Sequence, residues 1–149
     1  MTPEHAKAFG AFYTGAAVAE FLVCWALQDG GDTVLDPSFG GGVFLEAAAA
    51  RLRALGGSAQ KQVYGAELDS GVHARVSQEL SDVSPRNLIC SDFFALEPAA
   101  LPPLDAVVGN PPFIRYQKFD RSLGAARAKA QGVTLTNLAS SWAAFVVCS

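Results

Sequence analysis

The 149-residue chain has few cysteines and histidines, and it lacks an apolar run long enough to span a membrane. Its three cysteines lie far apart inside apolar stretches, which favours reduced, buried thiols over disulfides or a zinc site. Its two histidines have no partner at metal-ligand spacing. The apolar stretch 16–27 is interrupted by Glu20 and is much shorter than the roughly 20 residues that cross a bilayer. With no signal-peptide pattern at the start, these absences predict a cytoplasmic protein without a metal or a membrane segment.

The most informative segment is Asn110-Pro111-Pro112-Phe113, which follows the short apolar run 105–109. An Asn side-chain oxygen and the carbonyl of the following proline are two acceptors that can grip an amino group. The prolines limit backbone freedom and remove two N–H donors, so the acceptors are held by a stiff turn. Phe113 offers a ring face for a planar base, a contact worth roughly 1–3 kcal/mol per base. The segment therefore indicates an amino group as substrate.

A glycine-rich turn lies upstream, where residues 33–45 read as a short apolar strand, an acid, three glycines and the start of an Ala-rich helix. Gly40 and Gly42 permit positive φ and close backbone approach, as nucleotide-binding turns require. Asp36 would repel a phosphate and suits an ammonium group. Leu45 stands where the dinucleotide fingerprint G-x-G-x-x-G needs its third glycine, which disfavours a dehydrogenase.

Two further strand candidates also end in acids. Glu67 ends the second, and a carboxylate there can take both hydroxyls of a ribose. Asp92 and Phe93 follow the third, where an acid could accept from an adenine amino group and a ring could cover the base. Because open α/β sheets bind ligands at the carboxyl ends of their strands, four such strand ends in succession predict a single site.

Strands and helices alternate along the sequence, which predicts a parallel sheet with helices on both faces. A leading helix comes first, and the last apolar stretch, 135–147, is expected to be helical. Between them the sequence predicts strands at 33–36, 62–66, 87–90 and 105–109 and helices at 43–54 and 70–80.

Together these motifs resemble the cofactor-binding portion of an amino-group DNA methyltransferase, most similar to the adenine-N6 enzymes of bacterial restriction-modification systems. The resemblance covers nearly the whole chain. It implies a Rossmann-like fold that binds S-adenosyl-L-methionine and a catalytic loop at Asn110, Pro111, Pro112 and Phe113. It also implies a set of cofactor-binding residues: Tyr13, Thr14, Asp36, Phe39, Gly40, Gly42, Glu67, Asp92 and Phe93.

In the family, the Tyr-Thr segment lies against the methionine end of the cofactor, the glycine turn binds the methionine, and the two later acids bind ribose and adenine. Gly15 stands where the family usually has proline, and Phe39 where it often has a small residue. The implied reaction is methyl transfer to the N6 amino group of adenine in double-stranded DNA. The base would leave the stack, because its amino group cannot be reached in line within a duplex. Cytosine-N4 remains open as the acceptor.

Charge is divided unevenly along the chain. Residues 1–112 carry a net charge of -7 and residues 113–149 a net charge of +4, for a total of -3. Arg115, Tyr116 and Lys118 follow the loop closely and are predicted to contact the nucleic acid, with the basic residues neutralising phosphates. The acidic total argues against tight DNA binding by this piece alone.

Four convincing strands are too few for the seven that the resemblance implies, and the sequence offers no separate target-recognition domain. Residues 1–149 are therefore expected to be a partial methyltransferase domain, truncated after the fourth strand and inactive alone. A missing carboxyl-terminal region or a second chain would complete the fold, and some apolar surface should be exposed. Two alternatives remain: a methyltransferase for protein glutamine or RNA amino groups, and a non-catalytic S-adenosylmethionine-binding module.

Overall fold

A computed structural model describes residues 14–112, 122–135 and 141–149. The chain divides into two compact units, one comprising residues 13–110 and the other residues 1–12 with 111–149. Some predicted site residues lie outside the described ranges, so their predictions stay as such: Tyr13, Phe113, Arg115, Tyr116 and Lys118.

In the unit 13–110, strands and helices alternate as the sequence predicts. The described elements are α1 (Ala16–Ala26), β1 (Val34–Asp36), α2 (Val43–Ala54), α3 (Ala59–Gln62), β2 (Val63–Glu67), α4 (Ser70–Glu79), β3 (Leu88–Cys90) and β4 (Ala106–Val107). Short 3₁₀ turns occupy Pro85–Asn87, Phe93–Ala95 and Pro98–Ala100. The fourth strand is shorter than the predicted 105–109.

The four strands form one parallel sheet in the order β3-β2-β1-β4. Asp36 is in register with Gly65, and Glu67 with Cys90, so the strands end close to the same line. The side chains of β1 are buried, whereas Ala106 and Val107 of the edge strand β4 are only partly buried. The predicted parallel α/β sheet is therefore confirmed.

The core lies between the sheet and helices α1 and α2. The two helices pack against each other, and α2 also packs on β1 and β2. Fully buried aliphatic side chains from all these elements fill the space, among them Val23, Leu27, Val34, Leu52 and Val63. Burial of a side chain of this size is worth roughly 1.5–3 kcal/mol.

Helix α1 is apolar except for Glu20, and only one face of it is buried. Ala19 and Val23 face the core, while Phe21 and Trp25 are 72% and 77% exposed. Cys24 is exposed as well, so the expectation that the cysteines are buried was wrong for it and for the exposed Cys90. With Glu20 as its single charged residue, the helix gives little periodic signal to show which side packs.

The other unit contains α5 (Ser122–Ala130) and α6 (Ser141–Cys148), which pack together. The predicted start of the last helix at Leu135 was wrong, because residues 131–135 form a turn and irregular chain. Gly132 has φ +83°, and the N–H of Val133 donates to the carbonyl of Ala128 at 2.9 Å. This left-handed glycine termination ends α5 and separates it from the following apolar residues.

Neither a membrane-spanning helix nor a metal-binding cluster is found within the described residues. None of the helices there is long and apolar enough to cross a membrane. Likewise, residues 14–112, 122–135 and 141–149 bring together no group of three or more His, Cys, Asp or Glu side chains that could hold a metal ion.

Candidate active site

The polar residues that the sequence predicts at the strand ends all lie on the carboxyl-terminal side of the sheet. Asp92 follows β3, Glu67 ends β2, Asp36 ends β1, and Asn110 lies three residues after β4. Since the strands are parallel and neighbours in the order β3-β2-β1-β4, these residues occur in a row along their carboxyl ends. This is where open α/β sheets bind ligands.

Asp36 is the only charged residue among the buried side chains of the described chain and is 2% exposed. Its Oδ1 accepts a hydrogen bond from the N–H of Ser38 at 3.0 Å. Its Oδ2 is buried and has no hydrogen-bond partner within the described residues. The pKa of this carboxyl is raised from 3.8 to about 7: burial is the largest cause, the Ser38 hydrogen bond opposes it, and the nearby Glu67 charge adds to it. An orphaned buried acceptor of this kind fits a cationic or N–H-bearing ligand.

The turn after Asp36 depends on glycines. Gly40 and Gly42 have φ +47° and +85°, in the left-handed region that other residues rarely adopt. A Cβ on Gly42 would also lie 2.9 Å from Cγ1 of Val76 on α4. Gly42 is the N-cap of α2, so the first amides of that helix lie beside the turn and carry the partial positive charge of a helix start. The structure thus builds the close-approach turn that the sequence predicts.

Glu67 ties this turn to the end of β2. Its Oε2 accepts from the N–H of Gly40 and its Oε1 from the N–H of Asp69, each at 2.9 Å. A carboxylate oxygen has two lone-pair positions, so each oxygen retains capacity for a ribose hydroxyl. Asp69 in turn caps α4 by accepting from the N–H groups of Gly71 and Val72.

Asp92 and Phe93 begin the short turn after β3. Oδ1 of Asp92 accepts from the N–H of Phe94 at 2.9 Å, which fixes the carboxylate at the start of the turn. Phe93 and Phe94 are buried and pack edge to face, with ring centroids 5.5 Å apart. Asp92 is therefore held by the backbone of the turn that it begins.

Phe39 contributes to the core rather than to an open surface. Its side chain is 3% exposed, and a Cβ on Gly65 would lie 2.6 Å from its ring. Its ring is 6.1 Å from that of His73 on α4. The cofactor-binding prediction for Phe39 stays a prediction, and the structure gives its side chain a packing function beneath the glycine turn.

Leu68 was not among the predicted site residues. It lies directly after Glu67 at the carboxyl end of β2, and 71% of it is exposed. A large apolar side chain exposed between two acids offers a surface for a planar group such as a base. The signal in the sequence was an apolar residue just past the end of a strand, where a chain continuing into a loop would normally be polar.

Asn110 is held from two directions. Its Nδ2 donates to Oγ1 of Thr14 at 3.2 Å. The preceding Gly109 packs directly on Asp36, since a Cβ there would lie 2.6 Å from Oδ1 of that residue. The structure therefore brings together three residues that the sequence assigned separately to the cofactor and to catalysis. Pro111 and Pro112 follow and are partly buried.

A comparison with protein-family models assigns the chain to a family. The model described as N-6 DNA Methylase matches residues 1–147. The chain belongs to the N-6 DNA methylase family. The predicted resemblance to the methyltransferases of restriction-modification systems is therefore confirmed.

Individual relatives agree with this family assignment. The Type II methyltransferase M.AccI of Acinetobacter calcoaceticus is 25% identical over 118 residues, which cover 78% of this chain and 20% of that protein. The type I restriction-modification methyltransferase subunit of Streptococcus thermophilus has a TM-score of 0.68 at 25% identity, over 92% of this chain and 30% of its own.

The fold is also shared more widely. A Listeria monocytogenes protein described as a class I S-adenosylmethionine-dependent methyltransferase has a TM-score of 0.61 at 18% identity, over 87% of this chain and 38% of its own. These similarities confirm the predicted Rossmann-like fold class. The chain spans about a fifth of the curated relative that it matches.

Proposed function

We propose that this chain forms the cofactor-binding and catalytic-loop portion of an enzyme that transfers a methyl group from S-adenosyl-L-methionine to the N6 amino group of adenine in double-stranded DNA. The observation that carries the proposal is a row of polar residues along the carboxyl ends of the four parallel strands: Asp92, Glu67, Asp36 and Asn110. Family membership supports the reaction class.

The residues present fit S-adenosylmethionine. The orphaned Oδ2 of Asp36 can accept from its ammonium group, and Gly40 and Gly42 leave room for its methionine part. Glu67 can accept from ribose hydroxyls, Asp92 from the adenine amino group, and Leu68 can pack against the adenine ring. When bound, the cofactor supplies an electrophilic methyl group on a sulfonium.

The chain's own residues then bind and orient the acceptor base. Oδ1 of Asn110 and the carbonyl of Pro111 accept hydrogen bonds from the target amino group, holding it for attack and drawing its lone pair out of the ring. Phe113 stacks on the flipped base, and Arg115, Tyr116 and Lys118 contact the neighbouring nucleic acid. Positioning of this kind supplies most of the catalysis when the donor is already reactive.

The edge strand β4 supports a proposed need for further chain. Its residues Ala106 and Val107 are only partly buried, whereas the central β1 is buried. An unpaired strand edge accepts another strand through its main-chain groups. We therefore propose that further strands pair beside β4, from a carboxyl-terminal region or a second chain, and that residues 1–149 alone have little or no transfer activity.

Calorimetric titration of the purified chain tests the cofactor. We expect saturable binding of S-adenosylmethionine, no response to NAD, and weaker binding by Asp92→Ala. Glu97→Ala, an exposed acid five residues further on, is the matched control and should bind like the unaltered chain. Equal affinity for S-adenosylmethionine and NAD, or an unchanged affinity for S-adenosylmethionine in Asp92→Ala, would contradict the proposed cofactor site.

Methyl transfer tests the acceptor. Tritiated methyl groups from S-adenosylmethionine are followed into adenine-containing duplex DNA, into duplex DNA without adenine, and into RNA and a glutamine-containing peptide. Transfer to adenine DNA by an assembly that includes this chain, and its loss in Asn110→Ala, is the expected result. Measurable adenine transfer by residues 1–149 alone, abolished by the same variant, would show that no further chain is needed.

A further inference from the structure

The outward face of helix α1 carries a stripe of large apolar side chains that are exposed. We call these four residues the outer stripe: Val18, Phe21, Leu22 and Trp25. Their spacing of i, i+3, i+4 and i+7 places them on one side of the helix, opposite Ala19 and Val23, which pack on the core. The side of a surface helix that faces away from the core is normally polar, so an apolar one indicates a contact surface.

The outer stripe carries no charge. Glu20 is the only charged residue of α1, and it lies about 60° around the helix from Val23 and at least about 100° from every member of the stripe. The residues between Glu20 and the stripe are the small Ala17 and Cys24. Two copies of the chain can therefore approach each other through their outer stripes without bringing like charges together.

The outer stripe also has the shape that a second copy of the same helix needs. Val18 and Leu22 form one i, i+4 ridge, and Phe21 and Trp25 form another, with a groove between the two. Helices most often pack by placing such a ridge of one helix in the matching groove of the other. Because a single face holds both the ridges and the groove, two copies related by a twofold axis can contact each other through the same residues.

The exposed area of the outer stripe sets the strength of such a contact. Phe21 and Trp25, which are 72% and 77% exposed, offer about 300 Å² together, since a whole aromatic side chain offers roughly 150–250 Å². Val18 and Leu22, at 55% and 40%, add on the order of 100 Å². Two copies would then bury about 800 Å², which is less than a stable dimer needs and is typical of weak complexes.

We propose that two copies of this chain associate through the outer stripes of their α1 helices, as a weak twofold dimer. The contact uses a helix face and not the strand edge β4, where we propose that further strands pair. It also uses no residue of the proposed cofactor and catalytic sites, so it does not depend on the proposed reaction.

Analytical ultracentrifugation of the purified chain tests the dimer. The mass should rise from 15.6 kDa toward twice that value as the concentration increases from about 5 to about 500 µM. Trp25→Glu and Phe21→Glu each bring a charge into the contact and should raise the dissociation constant at least about tenfold. Trp142→Glu makes the same change at an exposed tryptophan of the other unit and should dimerise like the unaltered chain. Circular dichroism should show all three variants folded, because the replaced side chains are exposed.

Tryptophan fluorescence locates the contact without a change in the outer stripe. The chain has two tryptophans, so Trp142→Phe leaves Trp25 as the single reporter. Its emission should shift to shorter wavelength over the concentration range in which the mass doubles, because its indole leaves water. Constant emission while the mass doubles would place the contact elsewhere and would overturn the proposal.

Salt separates this apolar contact from an association between the acidic residues 1–112 and the basic residues 113–149. Raising the sodium chloride concentration from about 0.05 to about 0.5 M screens exposed charge pairs and should leave the proposed dimer intact. A mass that falls back to one chain in high salt would overturn the proposal, as would a dimer that persists unchanged in both glutamate variants. A chain that stays single at every concentration would also overturn it and would assign the outer stripe to a further part of the enzyme.

Discussion

Replacing Asp36 by Asn should change how the stability of the chain depends on pH. The carboxyl is 2% exposed, and its Oδ2 has no hydrogen-bond partner within the described residues. Burial, helped by the nearby Glu67 charge, raises its pKa from 3.8 to about 7 in the folded chain. The unfolded chain keeps the ordinary value, so the folded chain binds one more proton between these two pH values.

The sign and the size of the effect follow from that difference. Because the folded state binds more protons, the free energy of unfolding falls as pH rises from about 4 to about 7 and is level on either side. A difference of about three pKa units, at about 1.4 kcal/mol each, gives a loss on the order of 4 kcal/mol. Below pH 4 the free energy of unfolding is not reduced by Asp36, and above pH 7 the whole reduction has occurred.

Asp36→Asn removes this titration and keeps an oxygen for the N–H of Ser38. Its new amide N–H₂ is buried without an acceptor, at a cost of about 1–3 kcal/mol at every pH. The variant should therefore be less stable than the unaltered chain at pH 4 and equal or more stable at pH 8. Urea denaturation followed by circular dichroism at unit steps between these values measures the difference.

Glu97→Gln, which neutralises an exposed acid, is the control and should keep the pH dependence of the unaltered chain. The informative quantity is the change in the stability difference between Asp36→Asn and the unaltered chain from pH 4 to pH 8. A difference that stayed constant within about 0.5 kcal/mol across this range would refute the account of Asp36 as a buried, proton-binding carboxyl.

Three further substitutions test the surroundings of the site. Gly109→Ala should lower the free energy of unfolding in urea by about 1–3 kcal/mol, because the added Cβ would lie 2.6 Å from Oδ1 of Asp36; unchanged stability would contradict that packing. Gly15→Pro should raise it by about 0.4–1 kcal/mol, since φ is already -69° and a Cβ meets no atom within 4 Å; a lower melting temperature would argue against this backbone. Leu68→Ala should leave stability within about 0.5 kcal/mol and weaken calorimetric binding of S-adenosylmethionine about tenfold, and full affinity would exclude an adenine contact there.

The sheet and the order of the site residues could be predicted because strong local signals agree. Apolar runs end in Asp36 and Glu67, and each is followed by a turn or a helix start. Once the strands are parallel, their carboxyl ends must meet, so the row of acids follows from the pattern alone. The strand boundaries at 34–36 and 63–67 differ from the predicted ones by a single residue.

The features that failed or were missed depend on packing between distant parts of the chain. Which face of the apolar helix α1 is buried is decided by α2, so the exposure of Cys24 could not be predicted from α1 itself. The Thr14–Asn110 hydrogen bond and the contact of Gly109 with Asp36 join residues far apart in sequence. The interruption at Gly132 was a local signal that the sequence offered and that the apolar pattern after it concealed.

The two backbone contacts of Glu67 change how mutants of this residue are to be interpreted. Removing its carboxylate leaves the N–H groups of Gly40 and Asp69 without their acceptor, so the glycine turn and the start of α4 would both loosen. A fall in cofactor affinity in Glu67→Ala would then combine a lost ligand contact with the free energy needed to reorder an empty pocket. Only a double-mutant cycle that pairs Glu67 with a change in the ligand, such as a 2′-deoxyribose analogue, can separate the two.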